Sequence, residues 1–359
     1  MDLGFENAGF HVAWANDIDP DACATYRHNI GHIHEGDVTS LEIPDVEDVD
    51  VLTSGFPCQP FSNAGSRKGV TDPRGILYET TMKFVAALKP KAVVIENVRG
   101  ILSTKVDNER LIDIIGGGLK NLGYFVEHRL LNFSHFGVPQ NRIRVLMIAV
   151  RQEDWLKNAF PVISSDQDLS LKTTLSGLTD NHLNQTELMR LNPQALHYGA
   201  MIPPGGSWKS LPYEVLPERW KKIRDNMAKY HYPNFFRRYA EHEISGTITA
   251  AFKPENAGVW HPTEPRILSV REIARIQTFP DHFAFMGRTV KSKYQQIGNA
   301  VPPHVAYQVA SQIKVLIEGQ KKPKDRLLPE SYELNVNQPL HRQSPDVMSR
   351  LQHLPIAAE

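Results

Sequence analysis

VDVLTSGFPCQPFS, residues 49–62, opens as a short apolar run and closes on a cysteine set between two prolines. The run over 49–53, stopped by Gly55, predicts a buried strand. Pro57 and Pro60 stiffen the backbone on either side of Cys58, which suits a side chain that must point in one direction. A nucleophile just past the carboxyl end of a strand sits where α/β folds place their ligands. The next residues, NAGSRKGVTDPRG at 63–75, combine three glycines, a proline and three cations, a composition that excludes regular structure and fits a lid beside the nucleophile.

Working outward, apolar runs at 10–15, 92–95, 125–131 and 145–150 predict further strands. Amphipathic stretches at 20–29, 76–88 and 108–122 predict helices between them. The alternation is that of an α/β, doubly wound sheet. Its last two strands are joined by about a dozen residues without helical pattern, so they are expected to pair antiparallel at a sheet edge. From 151 to 265 the chain turns polar and rich in Pro, Asn and His, predicting a smaller, irregular domain. Within it, 208–239 interleaves cations with Trp208, Tyr213, Trp220, Tyr230, Tyr232, Phe235 and Phe236. Helical pattern returns at 270–277 and 305–318, and 319–359, polar and Pro-rich, is expected to be a mobile tail.

The 359 residues carry 40 Lys+Arg against 40 Asp+Glu and two cysteines. Two cysteines build no disulfide framework, no Cys/His spacing suggests a metal site, and no apolar run approaches a membrane span. A cytoplasmic protein with no membrane partner is expected. Zero net charge hides an asymmetry, because residues 1–50 hold twelve acids and one base, Arg27. The remainder holds 39 bases and 28 acids. A polyanionic partner is therefore not excluded.

GFPCQPFS at 55–62, ENV at 96–98, QNRIR at 140–144, RILSVREIARIQTFPD at 266–281 and GNAVPP at 298–303 occur in one order. Together they closely resemble the DNA (cytosine-5) methyltransferases, especially the bacterial restriction-modification enzymes, over 1–318 apart from the variable 151–265 stretch. The resemblance implies a Rossmann-like methyltransferase sheet over 1–150, a target-recognition region over 151–265 and a returning catalytic segment over 266–318. It also implies S-adenosylmethionine as methyl donor, double-stranded DNA as substrate, a cognate restriction endonuclease acting on the same site, and a monomer.

Cytosine C5 is a poor nucleophile, and addition of a thiolate to C6 activates it. Cys58 is the candidate thiolate, with Pro57 shaping its loop. Arg142 and Arg144, two apart at the start of a strand, are expected to share one face and supply electropositive surroundings. The resemblance gives Arg144 the pyrimidine O2, Glu96 the N3 edge and the exocyclic amine, and Asn97 the orientation of the Cys58 loop. For the donor it implies Asp17 on the ribose, Ile18 against the adenine, Asp37 and Val38 at the adenine edge, and Asn299, Ala300 and Val301 near the methionine part. The basic, aromatic 208–238 stretch is expected to make phosphate and base-edge contacts.

Family members open with a strand and an FxGxG turn that should precede Leu3, and this sequence lacks both. That departure leaves a second reading open: a catalytically silent or partner-dependent DNA-binding fragment. RNA methylation is disfavoured by the long insert, which suits duplex reading. A cysteine hydrolase is disfavoured because no histidine accompanies Cys58 in a recognisable motif.

Overall fold

The computed structural model describes residues 1–57, 76–156, 159–163, 167–229, 235–254 and 258–319. Cys58, the expected lid at 63–75, Tyr230, Tyr232 and the tail beyond 319 lie outside the described residues. The chain divides into two compact units. One comprises Met1–Val46, Phe136–Arg142 and Ser164–Ser311, and the other Glu47–His135, Ile143–Ile163 and the chain from Gln312 onward.

The second unit is organised by a four-stranded sheet in the order Val51–Ser54, Ala92–Val98, Ile143–Val150, Phe125–Asn132. The first two strands are parallel, with Val51 opposite Ala92 and Ser54 opposite Ile95. The other pairings are antiparallel, which places Phe125–Asn132 at the edge. Ala92, Val93, Val94 and Ile95 are all buried, as expected of a central strand covered on both faces. Helices Ile76–Leu88 and Leu111–Asn121 complete the α/β arrangement expected from the sequence. A bond from Ser54 Oγ to Thr81 Oγ1, 3.1 Å, ties the end of the first strand to the first helix.

In the first unit, helix Pro20–Asn29 begins where the sequence places it, with Pro20 at the first helical position and the Asp19 carboxylate accepting from the Asp21 and Ala22 amides. The strand expected over 10–15 does not form. Ladder pairing starts only at Asn16–Asp17, which runs parallel to His34–Glu35, and apolar character without a ladder partner does not make a strand.

Of the aromatic residues in the 208–238 stretch, Trp208, Trp220, Phe235 and Phe236 pack into the core, while Tyr213 is exposed. Trp208 is fully buried and stacks on Phe235 at 4.6 Å, with Trp220 edge-on to Phe235 and Phe236. Phe236 is buried in turn against Trp260. Several cations are also spent internally: Arg224 donates to the Leu211 carbonyl, Arg237 to Gly206 O, and Arg238 to Gly199 O. The expectation of base-edge contacts from this stretch is therefore corrected for Trp208 and Phe236, because an aromatic-basic mixture serves a core with a charged rim equally well. Among the described residues no helix is long and apolar enough to cross a membrane, and no cluster of three His, Cys, Asp or Glu is placed to hold a metal.

Two stability predictions follow from the second unit. Gly116 and Gly117 lie inside helix Leu111–Asn121, and a Cβ on either would meet nothing within 4 Å. Gly116→Ala and Gly117→Ala should each raise stability by about 0.5–1 kcal/mol, because helical glycine loses more backbone entropy than alanine. Urea midpoints that stay level or fall would contradict this. Burial pushes the His135 imidazole down to about 4, against roughly 6.5 in an unfolded chain. The unfolded state then binds more protons between those values, so this contribution is intact above about pH 6.5 and is lost as pH falls toward 4, amounting to about 3 kcal/mol. In urea titrations across that window, His135→Gln should show a shallower acid loss than wild type.

Candidate active site

In the second unit the parallel register ends with Ser54 opposite Ile95, and Glu96 and Asn97 follow directly on the neighbouring strand. Asn97 is buried, and its Nδ2 donates to the Phe56 carbonyl at 2.9 Å while its Oδ1 accepts from the Val98 amide at 2.9 Å. Both ends of the amide are thus committed to backbone, and one of them holds the chain two residues before Cys58. Pro57 is exposed at the last described position of that segment.

Glu96 is 8% exposed. Its neighbour across the sheet is set by register, Val98 standing opposite Arg144 and Glu96 opposite Leu146. Residues 96, 98, 144 and 146 therefore share a face, and Arg144 lies diagonal to Glu96. Arg144 Nε stands 3.1 Å from Glu96 Oε1. The contact is an ion pair whose alignment makes no hydrogen bond, and Oε1 accepts none from the described residues. Burial pushes the Arg144 guanidinium down from its ordinary value, and the Glu96 carboxylate opposes that.

Arg142 does not join this pair. The strand begins at Ile143, so the alternation that would put 142 and 144 on one face does not extend to Arg142. Arg142 belongs to the first unit, is 1% exposed, and donates to the carbonyls of Ile248 at 2.9 Å, Gly298 at 3.1 Å and Ala300 at 3.0 Å. Its expected role beside the nucleophile is replaced by a structural one.

The expected donor residues all fall in the first unit. Asp17 ends strand Asn16–Asp17, and its Oδ1 accepts from the Asp19 amide at 2.9 Å. Ile18 follows it, 67% exposed. The parallel neighbour His34–Glu35 leads through Gly36, whose amide donates to Asp17 O at 3.0 Å, to Asp37 and Val38. These four residues thus gather at the carboxyl ends of two parallel strands, where open α/β folds bind ligands. Asp37 Oδ1 accepts from the Thr39 amide and hydroxyl, which hold its carboxyl below the usual range. Asn299 ends helix Val290–Asn299, Ala300 leaves it in extended conformation, and the next helix starts at Pro303.

Two residues that sequence reasoning missed complete the surroundings of that link. Gln277, fully buried, donates through Nε2 to Ile297 O at 3.1 Å and Ala300 O at 2.7 Å. Gln140, also fully buried, donates to Gln277 Oε1 and accepts from the Ile248 amide at 2.9 Å. Their only sequence signal is a glutamine within otherwise apolar or motif-like surroundings.

The Glu96–Arg144 pair is testable by itself. Arg144→Met leaves a buried carboxylate unpaired and should cost about 3 kcal/mol in urea denaturation, with Glu96→Gln in the same chain recovering part of the loss. A double-variant loss equal to the sum of the losses from Arg144→Met and Glu96→Gln alone would show that the two side chains are not coupled.

The model of the C-5 cytosine-specific DNA methylases matches residues 1–315. The Type II methyltransferase M.NgoFVII of Neisseria gonorrhoeae is 36% identical over 326 residues, covering 87% of this chain and 83% of that protein. M.Eco47II of Escherichia coli is 36% identical over 336 residues, covering 90% and 78%. Among solved structures, a putative DNA modification methyltransferase from an E. coli prophage superposes with TM-score 0.62 at 22% identity, covering 88% and 95% of the two chains. S. pombe Dnmt2 superposes with TM-score 0.56 at 20% identity, covering 88% and 95%. The α/β fold is thus a methyltransferase fold, and the chain belongs to the C-5 cytosine-specific DNA methylase family as a DNA cytosine-5 methyltransferase of the restriction-modification type.

Proposed function

We propose that the chain methylates C5 of a cytosine flipped out of duplex DNA, with S-adenosylmethionine as donor and Cys58 bonded to C6 during the reaction. The observation that carries this reading is the buried Glu96–Arg144 pair, on the strand whose Asn97 amide holds the backbone leading to Cys58. The donor, when bound, supplies an electrophilic methyl group on a sulfonium.

The chain's own groups take the remaining work. The Cys58 thiolate adds to C6 and raises electron density at C5. Glu96 Oε1, buried and accepting no hydrogen bond from the described residues, is the atom placed to carry a proton and donate it to N3, where negative charge accumulates on addition. Arg144 steadies that carboxyl and offers its guanidinium to O2. C5 forms its bond to the methyl carbon as the sulfur–methyl bond breaks. A base then takes the C5 proton, and the thiolate leaves to restore the ring. Asn97 and Pro57 orient the nucleophile's segment and touch no reacting atom.

For the donor, an exposed Asp17 carboxylate beside an exposed Ile18 fits an adenosine, which presents two ribose hydroxyls and an apolar ring face. Asp37 and Val38 take the adenine edge, and Asn299, Ala300 and Val301 the methionine portion. Region 151–265 reads the duplex. With Trp208 and Phe236 in the core, the exposed cations Arg219 and Lys222 on helix Glu218–Asp225 are positioned to meet phosphates. The enzyme acts as a cytoplasmic monomer and protects sites that a cognate endonuclease would cut.

The test pairs calorimetry against S-adenosylmethionine with bisulfite sequencing of DNA from cells expressing the chain. Donor binding and a recurrent methylated sequence are expected, with Cys58→Ser keeping donor affinity and losing all methylation. Methylation that survives Cys58→Ser would overturn the mechanism. Donor binding and methylation both absent in the wild type would leave a silent DNA-binding protein.

A further inference from the structure

Helix Val290–Asn299 closes on one local turn, the Ala300 amide donating to Gln296 O at 3.0 Å and to Ile297 O at 3.2 Å, and leaves the carbonyls beyond it to other donors. Its cap residue Ala300 is extended, with φ −67° and ψ 149°, and only three residues later the next helix begins. The last carbonyls of a helix have no intrahelical donor, and a cation or amide at that end satisfies both the acceptors and the helix dipole. Here the donors come from far along the chain. Arg142 takes Gly298 O and Ala300 O, and Gln277 takes Ile297 O and Ala300 O. Three buried side chains, Gln140, Arg142 and Gln277, are thus spent on the backbone of two segments.

The second segment is 247–250. Arg142 Nη1 donates to Ile248 O, and Gln140 Oε1 accepts from Ile248 N, so both polar groups of one residue are held by the same knot. The segment lies directly against the link. A Cβ on Gly298 would fall 2.3 Å from the Thr249 carbonyl carbon and 2.4 Å from the Ala250 nitrogen, so no side chain fits at 298. The path of residues 298–300 is therefore set by side chains on the 140–142 and 277 segments, and by a backbone that leaves room for none of its own.

We infer that Arg142 and Gln277 are positioning residues for the methyl donor, fixing the 299–301 link through its carbonyls. The inference rests on the reading of Asn299, Ala300 and Val301 as donor contacts. It replaces an electrostatic role for Arg142 with a geometric one: the guanidinium acts on the shape of the donor site and touches no reacting atom. Because the same groups hold Ile248, which lies in the region read as target-recognising, the link and the end of that region are braced together.

The variants are Gln277→Met, which keeps length and volume but donates nothing, and Arg142→Lys, which keeps the charge but cannot span three carbonyls. Both are tested as the full chain, with circular dichroism to confirm folding. Donor affinity is read by calorimetry with S-adenosylmethionine, DNA affinity by fluorescence anisotropy on a random-sequence duplex, and kcat on unmethylated phage DNA. Gln277→Met should weaken donor binding about tenfold, with kcat at saturating donor and DNA affinity within about threefold of wild type. Arg142→Lys should shift the same quantity in the same direction. A purely structural role would lower all three readouts together. Folded variants with donor affinity within about twofold of wild type would overturn the inference. So would a fall in kcat at unchanged donor affinity, which would return Arg142 to the chemistry, and so would failure of both variants to fold. A wild type that binds no donor overturns the functional reading itself, a result distinct from all of these because the variants then have nothing to lose.

Discussion

The register of strand Ala92–Val98 against its two neighbours is the constraint from which the rest of the second unit's chemistry follows. On one side it runs parallel to Val51–Ser54, and on the other antiparallel to Ile143–Val150. Side chains alternate between faces along a strand, so a slip of one residue would turn Glu96 away from Arg144 and carry Asn97 off the Phe56 carbonyl. The slip is opposed by the burial of Ala92, Val93, Val94 and Ile95, each 3% exposed or less. Apolar packing with no chemistry of its own therefore sets the position of a carboxylate that has. The same strand then pays for holding an incompletely bonded carboxyl oxygen below the surface, a cost that polar groups incur when they are kept ready for a ligand.

The first unit solves a different problem. Two short parallel strands bring Asp17, Ile18, Asp37 and Val38 to one end, held by local bonds from the amides of Asp19 and Thr39 and by a cross-strand bond from the Gly36 amide to Asp17 O. At the 299–301 link the Ala300 amide bonds back to Gln296 and Ile297, while the Ala300 carbonyl is held by Arg142 and Gln277. Local turns and a two-residue strand ladder make the first half of the expected donor site, and long-range side-chain bonds add to a local helix cap in the second. That difference also separates what could be read in the sequence from what could not.

Helix Pro20–Asn29 was legible because its start is written locally, as an Asp cap followed by proline. Helix Ile76–Leu88 was legible from apolar periodicity, and the central strand from an unbroken apolar run. The 10–15 segment shows the limit of that reasoning, since apolar character says nothing about whether a ladder partner is present. Arg142 shows another. The two-residue spacing to Arg144 predicts a shared face only if one strand contains both, and the strand starts between them. Trp208 and Phe236 show a third limit, because their burial depends on contacts with residues such as Trp260 that lie well outside any local window. Gln140 and Gln277 bond to backbone carbonyls and to each other, and no pattern of residue types announces such partners in advance.

The most direct measurement uses duplex DNA carrying fluorine at C5 of its cytosines, incubated with the chain and S-adenosylmethionine and then denatured. Fluorine cannot leave as a proton, so the reaction stops after methyl transfer with the nucleophile still bonded to C6. A covalent complex is expected, with the mass of protein plus DNA plus one methyl group less the thiol hydrogen, and with the cross-linked peptide containing Cys58. Absence of any covalent species from a chain that methylates ordinary DNA, or a cross-link to a residue other than Cys58, would contradict the proposed chemistry.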